Sequence, residues 1–347
     1  RVSSNLSRKT GFATTIGKVG KQNANDISGW LFVDLEYWIS TNSTLAKMFA
    51  EVSKKDLSVG CVLYKTSNGV FEFKGRVAGQ GFFENELALL NLAPELVGLS
   101  PVLDDGWTSR GGLKVRKENV LPAVANLFDR VIGEGEVGLF DAVIDDLRDE
   151  PDGPQIDIRK DLVGRIKSDC YFVSDRATNR LCILIPVANS LRVSHAIDAF
   201  YKDDPKADKI RLTSFTGWNV QPIGDSAIGI RSPYIIGLWR NYIIVASDKN
   251  SIRKLQLRKE PFGLGNNQKY DVDNELHSFA YELNLNRFFS SLDRNDLASL
   301  FGKTRNPESI QDVWNRFRKL RKNLNSEALL LNAVTESNGL RFFGVIR

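Results

Sequence analysis

The sequence predicts an α+β protein of repeated strand–helix–hairpin units, mostly antiparallel, with helices packed on one face of each sheet. Three observations predict it. The stretch Ser67-Asn68-Gly69-Val70 recurs near the other end of the chain as Ser337-Asn338-Gly339-Leu340, each time between two strand-like runs. Asn-Gly in that setting favours a two-residue hairpin turn, because both residues tolerate a positive φ. Short apolar runs such as Leu181–Val187 alternate with amphipathic stretches of helical period. Pro- and Gly-rich stretches punctuate the chain: Glu150–Pro154 joins two helices, and Pro261 with the run Gly263–Asn267 marks a boundary between units.

Residues 1–28 are rich in Ser, Thr, Gly, Asn and Lys and show no period, so they read as an extended arm. The first unit, 29–135, opens with a strand at Leu31–Glu36. A helix from Ser43 then carries Leu45, Met48, Phe49 and Val52 on one face. In the hairpin 59–66/70–78, Val62 and Tyr64 are expected opposite Gly75 and Phe73, with Lys65 facing Glu72. A short helix at Phe82–Leu92 and strands within 100–116 follow. The unit closes with a helix striped by Leu121, Val124, Leu127, Phe128 and Val131, and Gly133 stops it.

The second unit, 136–268, starts with helices at 138–148 and 157–166, the latter capped by Asp157. The hairpin 169–174/180–187 comes next, then a helix at 190–202. Strands near 210–222 and 234–246 and a helix at 249–257 complete the unit. Asn189 and Asp248 stand where N-caps belong. The third unit, 269–347, has the strand Phe279–Asn284 and a helix at 307–322 opened by Asn306-Pro307. Ile310, Val313, Trp314, Phe317 and Leu320 form that helix's apolar stripe. In its hairpin Val334 should face Phe343, as Tyr64 faces Phe73 in the first copy. So short a unit closes no core of its own. Its hairpin, 327–346, is therefore expected to pair with or pack against an earlier unit or another chain.

A length of 347 residues exceeds one core and suggests two or three domains. With 47 Lys and Arg against 42 Asp and Glu, the net charge of +5 is mild and gives no reason to expect nucleic acid. No apolar run approaches the ~18 residues of a membrane helix. The three cysteines, Cys61, Cys170 and Cys182, lack metal or disulfide spacing and read as small buried hydrophobes. A turn centred at Ala177-Thr178 sets Cys182 opposite Val173, not Cys170. His195 falls on the solvent side of its helix, and His277 opens a strand. No G-x-S-x-G or H-E-x-x-H pattern is present. The glycine pairs Gly79-Gln-Gly81 and Gly263-Leu-Gly265 do not make a phosphate-cradling loop. These readings predict no enzyme, no metal site and no cofactor.

Two charged clusters merit weighing. Asp141, Asp145, Asp146, Asp149, Glu150, Asp152, Asp157 and Asp161 could hold a hard divalent cation, and so support a hydrolase. They lack the EF-hand order, and Asp141, Asp145 and Asp149 share one helix face, which favours a solvated surface. Arg316, Arg318, Lys319, Arg321 and Lys322 are the strongest basic run and the candidate site for a polyanion or lipid. Cations at a helix C-terminus also complement its dipole without any ligand. A cationic groove joining that run to Lys249, Arg253 and Lys254 would favour binding.

The string Asp146-Leu-Arg-Asp-Glu-Pro-Asp-Gly-Pro-Gln-Ile-Asp-Ile-Arg-Lys-Asp-Leu-Val163, with the following hairpin and the strand end Ile244-Val-Ala-Ser-Asp248, resembles a group of uncharacterised planctomycete proteins described as secreted or membrane-associated. The resemblance covers roughly 138–258, and Pro-Asp-Gly-Pro-Gln-Ile-Asp is its most specific part. It implies an exported, periplasmic or envelope location and brings no catalytic residues. The chain opens on Arg1 rather than Met, which reads as a processed or trimmed product. The functional expectation is a non-enzymatic structural or protein-interaction module of a bacterial cell envelope. It would act within a larger assembly, with other chains or copies of itself as partners.

Overall fold

The computed structural model describes residues 27–34 (backbone only), 58–65, 71–78, 91–92, 99–133, 135–221, 233–259, 279–292, 315, 328–336 and 339–346. The strands are β1 Ile27–Asp34, β2 Ser58–Lys65, β3 Phe71–Ala78, β4 Ser100–Leu103, β5 Ser109–Lys114, β6 Asp169–Asp175, β7 Arg180–Pro186, β8 Ala207–Leu212, β9 Phe215–Val220, β10 Tyr234–Trp239, β11 Tyr242–Ala246, β12 Leu255–Arg258, β13 Phe279–Asn284, β14 Ala328–Glu336 and β15 Gly339–Ile346. The α-helices are α1 Lys117–Val131, α2 Leu139–Asp149, α3 Ser190–Tyr201, α4 Lys249–Lys254 and α5 Leu285–Ser291. The protein is thus mixed helix and strand, as expected, dominated by a large antiparallel sheet.

That sheet has 13 strands in the order β1-β2-β3-β15-β14-β13-β5-β6-β7-β11-β10-β9-β8, while β4 and β12 form a separate ribbon. The order is not the order of the chain. β13–β14–β15 lies between β3 and β5, pairing with β3 through β15 and with β5 through β13. The expected contact of the 327–346 hairpin with an earlier strand is the β15–β3 ladder. One sheet draws strands from all three sequence lengths.

Period-2 patterning explains the sheet's two faces. Ile243 and Ile244 are consecutive on β11 and point to opposite sides. Ile244 joins Val173, Cys182, Leu184, Phe215 and Trp239 in one core, covered by Leu103, Ile252 and Leu255. Ile243 joins Trp218, Val220 and Leu238 in another, covered by Val193 and Ile197 of α3. A fully buried Leu184 or Ile244 contributes about 1.5–3 kcal/mol. The helices therefore do not share one face: α4 and α3 cover opposite sides of the same strands. A continuous apolar strand such as β11 needs cover on both.

Local signals hold in several places. Asn189 accepts from Arg192 N–H at 3.1 Å and starts α3. Asp248 accepts from Asn250 and Ser251 and starts α4. Asp157 accepts from Lys160 N–H at 3.0 Å. Cys182 lies opposite Val173. One cap comes from outside its own helix: Asp129 of α1 accepts from the N–H groups of Gly138 and Phe140, both at 2.7 Å, and fixes α2 against α1.

Several expectations are corrected. In the first hairpin Leu63, not Tyr64, faces Phe73, and Tyr64 faces Glu72. Val62 faces Lys74, and Lys65 faces Phe71. In the second hairpin Val334 faces Arg341, and Asn332 faces Phe343. Gly339 is already in the strand, paired with Glu336 and Ala78. Both ladders are tuned to each other across β3–β15. A Cβ on Gly75 would meet Phe342 at 2.2 Å, and one on Gly344 would meet Phe73 at 2.3 Å, so each phenylalanine lies over the other strand's glycine. Beyond Asp157 the chain makes one wide π turn, 158–162, and a 3-10 turn, 163–165, instead of a helix to 166. Gly164 is a poor helix former, and Ile166 is drawn away to bridge Val187. The runs 210–222 and 234–246 are each a hairpin, β8–β9 and β10–β11, and 255–258 is strand rather than helix. Val124, placed on an apolar stripe, is about two-fifths exposed, at 40%. Ala123 is buried in place of Val124. The helices expected from Ser43, at Phe82–Leu92 and at 307–322 fall outside the described residues, Leu92 and Asn315 apart.

Candidate functional site

Two groups of charged residues are linked through the neighbours Asp104–Asp105 and Arg253–Lys254. The first is buried. Asp175, at the end of β6, has no exposed surface. It accepts from Thr108 Oγ1 at 3.1 Å, Thr178 Oγ1 at 2.7 Å, Arg180 Nη2 at 3.1 Å and Arg287 Nη2 at 3.3 Å. Arg180 reaches on to Asp105, which Lys254 Nζ also contacts at 2.7 Å. Burial alone would raise the Asp175 pKa, but the hydrogen bonds from Thr178 and Arg180, the Arg287 charge and Thr108 outweigh it, and the carboxyl lies below its usual range. Lys254 first, then Arg180, hold the Asp105 carboxyl down at about 2. Gly106 permits this packing: it has φ +104, and a Cβ there would meet the Arg287 guanidinium at 2.2 Å.

The second group lines an open cleft of about 630 Å³. Its walls are the β8–β9 tip (Arg211, Leu212, Thr213, Ser214), the β10–β11 tip (Trp239, Arg240) and the α4–β12 segment with Arg253 and Gln256, closed by Asp104. The two tips are adjacent because Trp239 pairs with Phe215. Trp239 is buried, and its indole N–H donates to Ser214 Oγ at 3.1 Å. The Arg240 guanidinium stacks over that indole at 4.6 Å. Arg240 has φ +56, an uncommon conformation for a residue other than Gly, Asn or Asp. The α4 segment links both groups: Lys254 serves the buried network, while its neighbour Arg253 lines the cleft.

The residues singled out by sequence are distributed otherwise. Arg316, Arg318, Lys319, Arg321 and Lys322 lie outside the described residues, as do His277 and both glycine pairs. The acidic segment is met by arginines. Arg159 contacts Asp141 and Asp145, Arg148 contacts Asp145 and Asp149, and Lys160 contacts Asp157. Cys61 is on β2, Cys170 on β6 and Cys182 on β7, all free thiols. Burial pushes Cys61 and Cys170 up to about 11 and Cys182 to about 12, which leaves them unreactive near neutrality. His195 is on the exposed face of α3, as its position relative to Val193 predicts. Arg253 was legible as a groove candidate; Arg211, Arg240 and Asp175 were not. The one available signal was an Arg-Asn pair between two apolar strand runs, a turn position that ordinarily selects Gly or Asn.

No family model matches this chain, and no curated protein matches it. Among solved structures it is similar to two crystal forms of TP0453. Form I aligns at TM-score 0.30 and 9% identity over 69% of this chain and 74% of that one. Form IV aligns at TM-score 0.33 and 12% identity over 69% and 76%. At these scores the likeness assigns neither fold nor function.

Proposed function

We propose that this chain is a non-enzymatic interaction module of a bacterial cell envelope, with other protein chains or further copies of itself as partners. The observation that carries this reading is the insertion of β13–β15 between β3 and β5. It makes one continuous platform of the described strands of the main sheet, with a tie at Asp175 that draws in Asp105, Arg180 and Arg287 from all three sequence lengths. Among the described residues that platform ends on β1 and β8, and strand addition at an edge is a general mode of protein recognition. Asp208, Lys209 and Arg211 along β8 keep that edge charged, which discourages indiscriminate pairing.

The finer architecture belongs to the same reading. We infer that β1–β3 and β13–β15 are two copies of one strand-plus-hairpin unit, related by a two-fold axis through the β3–β15 ladder. The mirrored strand order supports this, as does the reciprocal Phe73–Gly344 and Phe342–Gly75 packing. The divalent-cation hydrolase has less support, since Arg148 and Arg159 already pair with Asp141, Asp145 and Asp149.

The test is where the protein fractionates and what it touches there. With a photo-reactive phenylalanine analogue replacing Asp208, cross-linked species in the envelope fraction are expected. Recovery of the protein wholly from the cytosol, or a cross-linking yield no higher than from a buried β7 position, overturns the proposal.

A further inference from the structure

We propose that the cleft between the β8–β9 and β10–β11 tips binds a phosphoryl group carried on a small molecule. Arg211, Arg240 and Arg253 bring guanidiniums to it from three different elements, and Asp104 is the one carboxylate in its described lining. The wall therefore carries a net charge near +2. A phosphate monoester carries about −1.5 to −2 at neutral pH, so one such group balances it. Guanidinium forks match pairs of phosphate oxygens in geometry as well as charge. Thr213, Ser214 and Gln256 add neutral donors to the same space. The volume of about 630 Å³ exceeds that of a bare phosphate and falls within the roughly 300–1,000 Å³ typical of small-molecule sites. The remainder goes to the organic part of the ligand, against Trp239, Ile252 and Leu255.

Two further observations point the same way. Among the described residues Arg211, Arg240 and Arg253 make no ion pair, although Arg180 and Lys254 nearby are fully engaged. Arg240 also occupies a φ of +56, at the first position of a two-residue turn where glycine would be relaxed. Strain held at an arginine whose guanidinium is already pinned over Trp239 suggests that the side chain, not the turn, is what is retained.

The test is titration of the purified chain with inorganic phosphate and with glycerol 3-phosphate, glycerol being the control. Calorimetry and tryptophan fluorescence are read at constant ionic strength, about 0.15 M. Saturable one-to-one binding of both phosphates is expected, tighter for the ester. Arg211→Gln and Arg253→Gln should each weaken it about tenfold, the loss of one charge-assisted hydrogen bond. Arg240→Gly should weaken it as much while leaving the thermal midpoint unchanged, which separates binding from folding. Lys206→Gln, an exposed cation away from the cleft, should change nothing. Binding that does not saturate, or that survives all three arginine substitutions, overturns the site. Release of inorganic phosphate from the ester would leave the site standing and overturn the non-enzymatic reading instead.

Discussion

The buried network at Asp175 and the arginine cleft use the same residue types, yet they are opposites. At Asp175 every oxygen is engaged and three segments of the chain converge. In the cleft three guanidiniums stand exposed without a carboxylate partner among the described residues. The difference lies in desolvation. A buried charge must be matched, or it costs several kcal/mol. An exposed arginine is hydrated and can wait for a ligand. Identical chemistry is thus committed to the fold in one place and left open in the other, and α4 carries one residue of each kind, Lys254 and Arg253.

Substitution should break this contrast unevenly. The largest effect is expected from Asp175→Ala, which leaves Arg180 and Arg287 without their shared acceptor. A loss of about 3–5 kcal/mol is expected, measured by urea unfolding at neutral pH. Next comes Gly106→Ala, which forces a Cβ into a positive-φ site and displaces Arg287. About 1–3 kcal/mol should be lost, and the double variant with Arg287→Ala should show less than the sum.

Acid provides a third probe. The Asp105 pKa is depressed in the folded state, so its contribution is fully present above the ordinary carboxylate value near 4 and is lost as pH falls through about 2. The difference in thermal midpoint between the native protein and Asp105→Asn should therefore narrow between pH 4 and pH 2. A difference that is constant over that window would show that Asp105 is not part of the tie. The smallest effects belong to the cleft. Arg211→Gln and Arg253→Gln should shift stability by no more than about 0.5 kcal/mol, as exposed substitutions do. A larger loss in either would show that the cleft arginines also serve the fold, and the contrast with Asp175 would dissolve.

What could be read from sequence follows the range of each interaction. Caps were legible because an Asx side chain acts on amides two or three residues away, as at Asn189 and Asp248. The β6–β7 register was legible because its turn is local, and Val173 duly faces Cys182. The registers of the two Asn-Gly hairpins were not. Turn preference was overruled by packing from the far strand, where Phe73 and Phe342 each need a glycine to lie on. The alternation of apolar residues marks which face a side chain takes but not which strand lies beside it. Nothing local to 279–346 reveals that its strands separate β3 from β5. The cleft was hidden for the same reason: Arg211, Arg240 and Arg253 form no run, and only the pairing of Trp239 with Phe215 brings their supports together.

The placement of β13–β15 also has a meaning in time. A ribosome delivers β3 and β5 long before the strands that join them. Until residues 279–346 have emerged, the sheet can exist only as two fragments, β1–β3 and the seven strands from β5 to β8, each with a raw inner edge. Contacts this distant in sequence form slowly. A chain truncated before residue 279 is therefore expected to expose unpaired edges at β3 and β5, where strands of separate molecules can join.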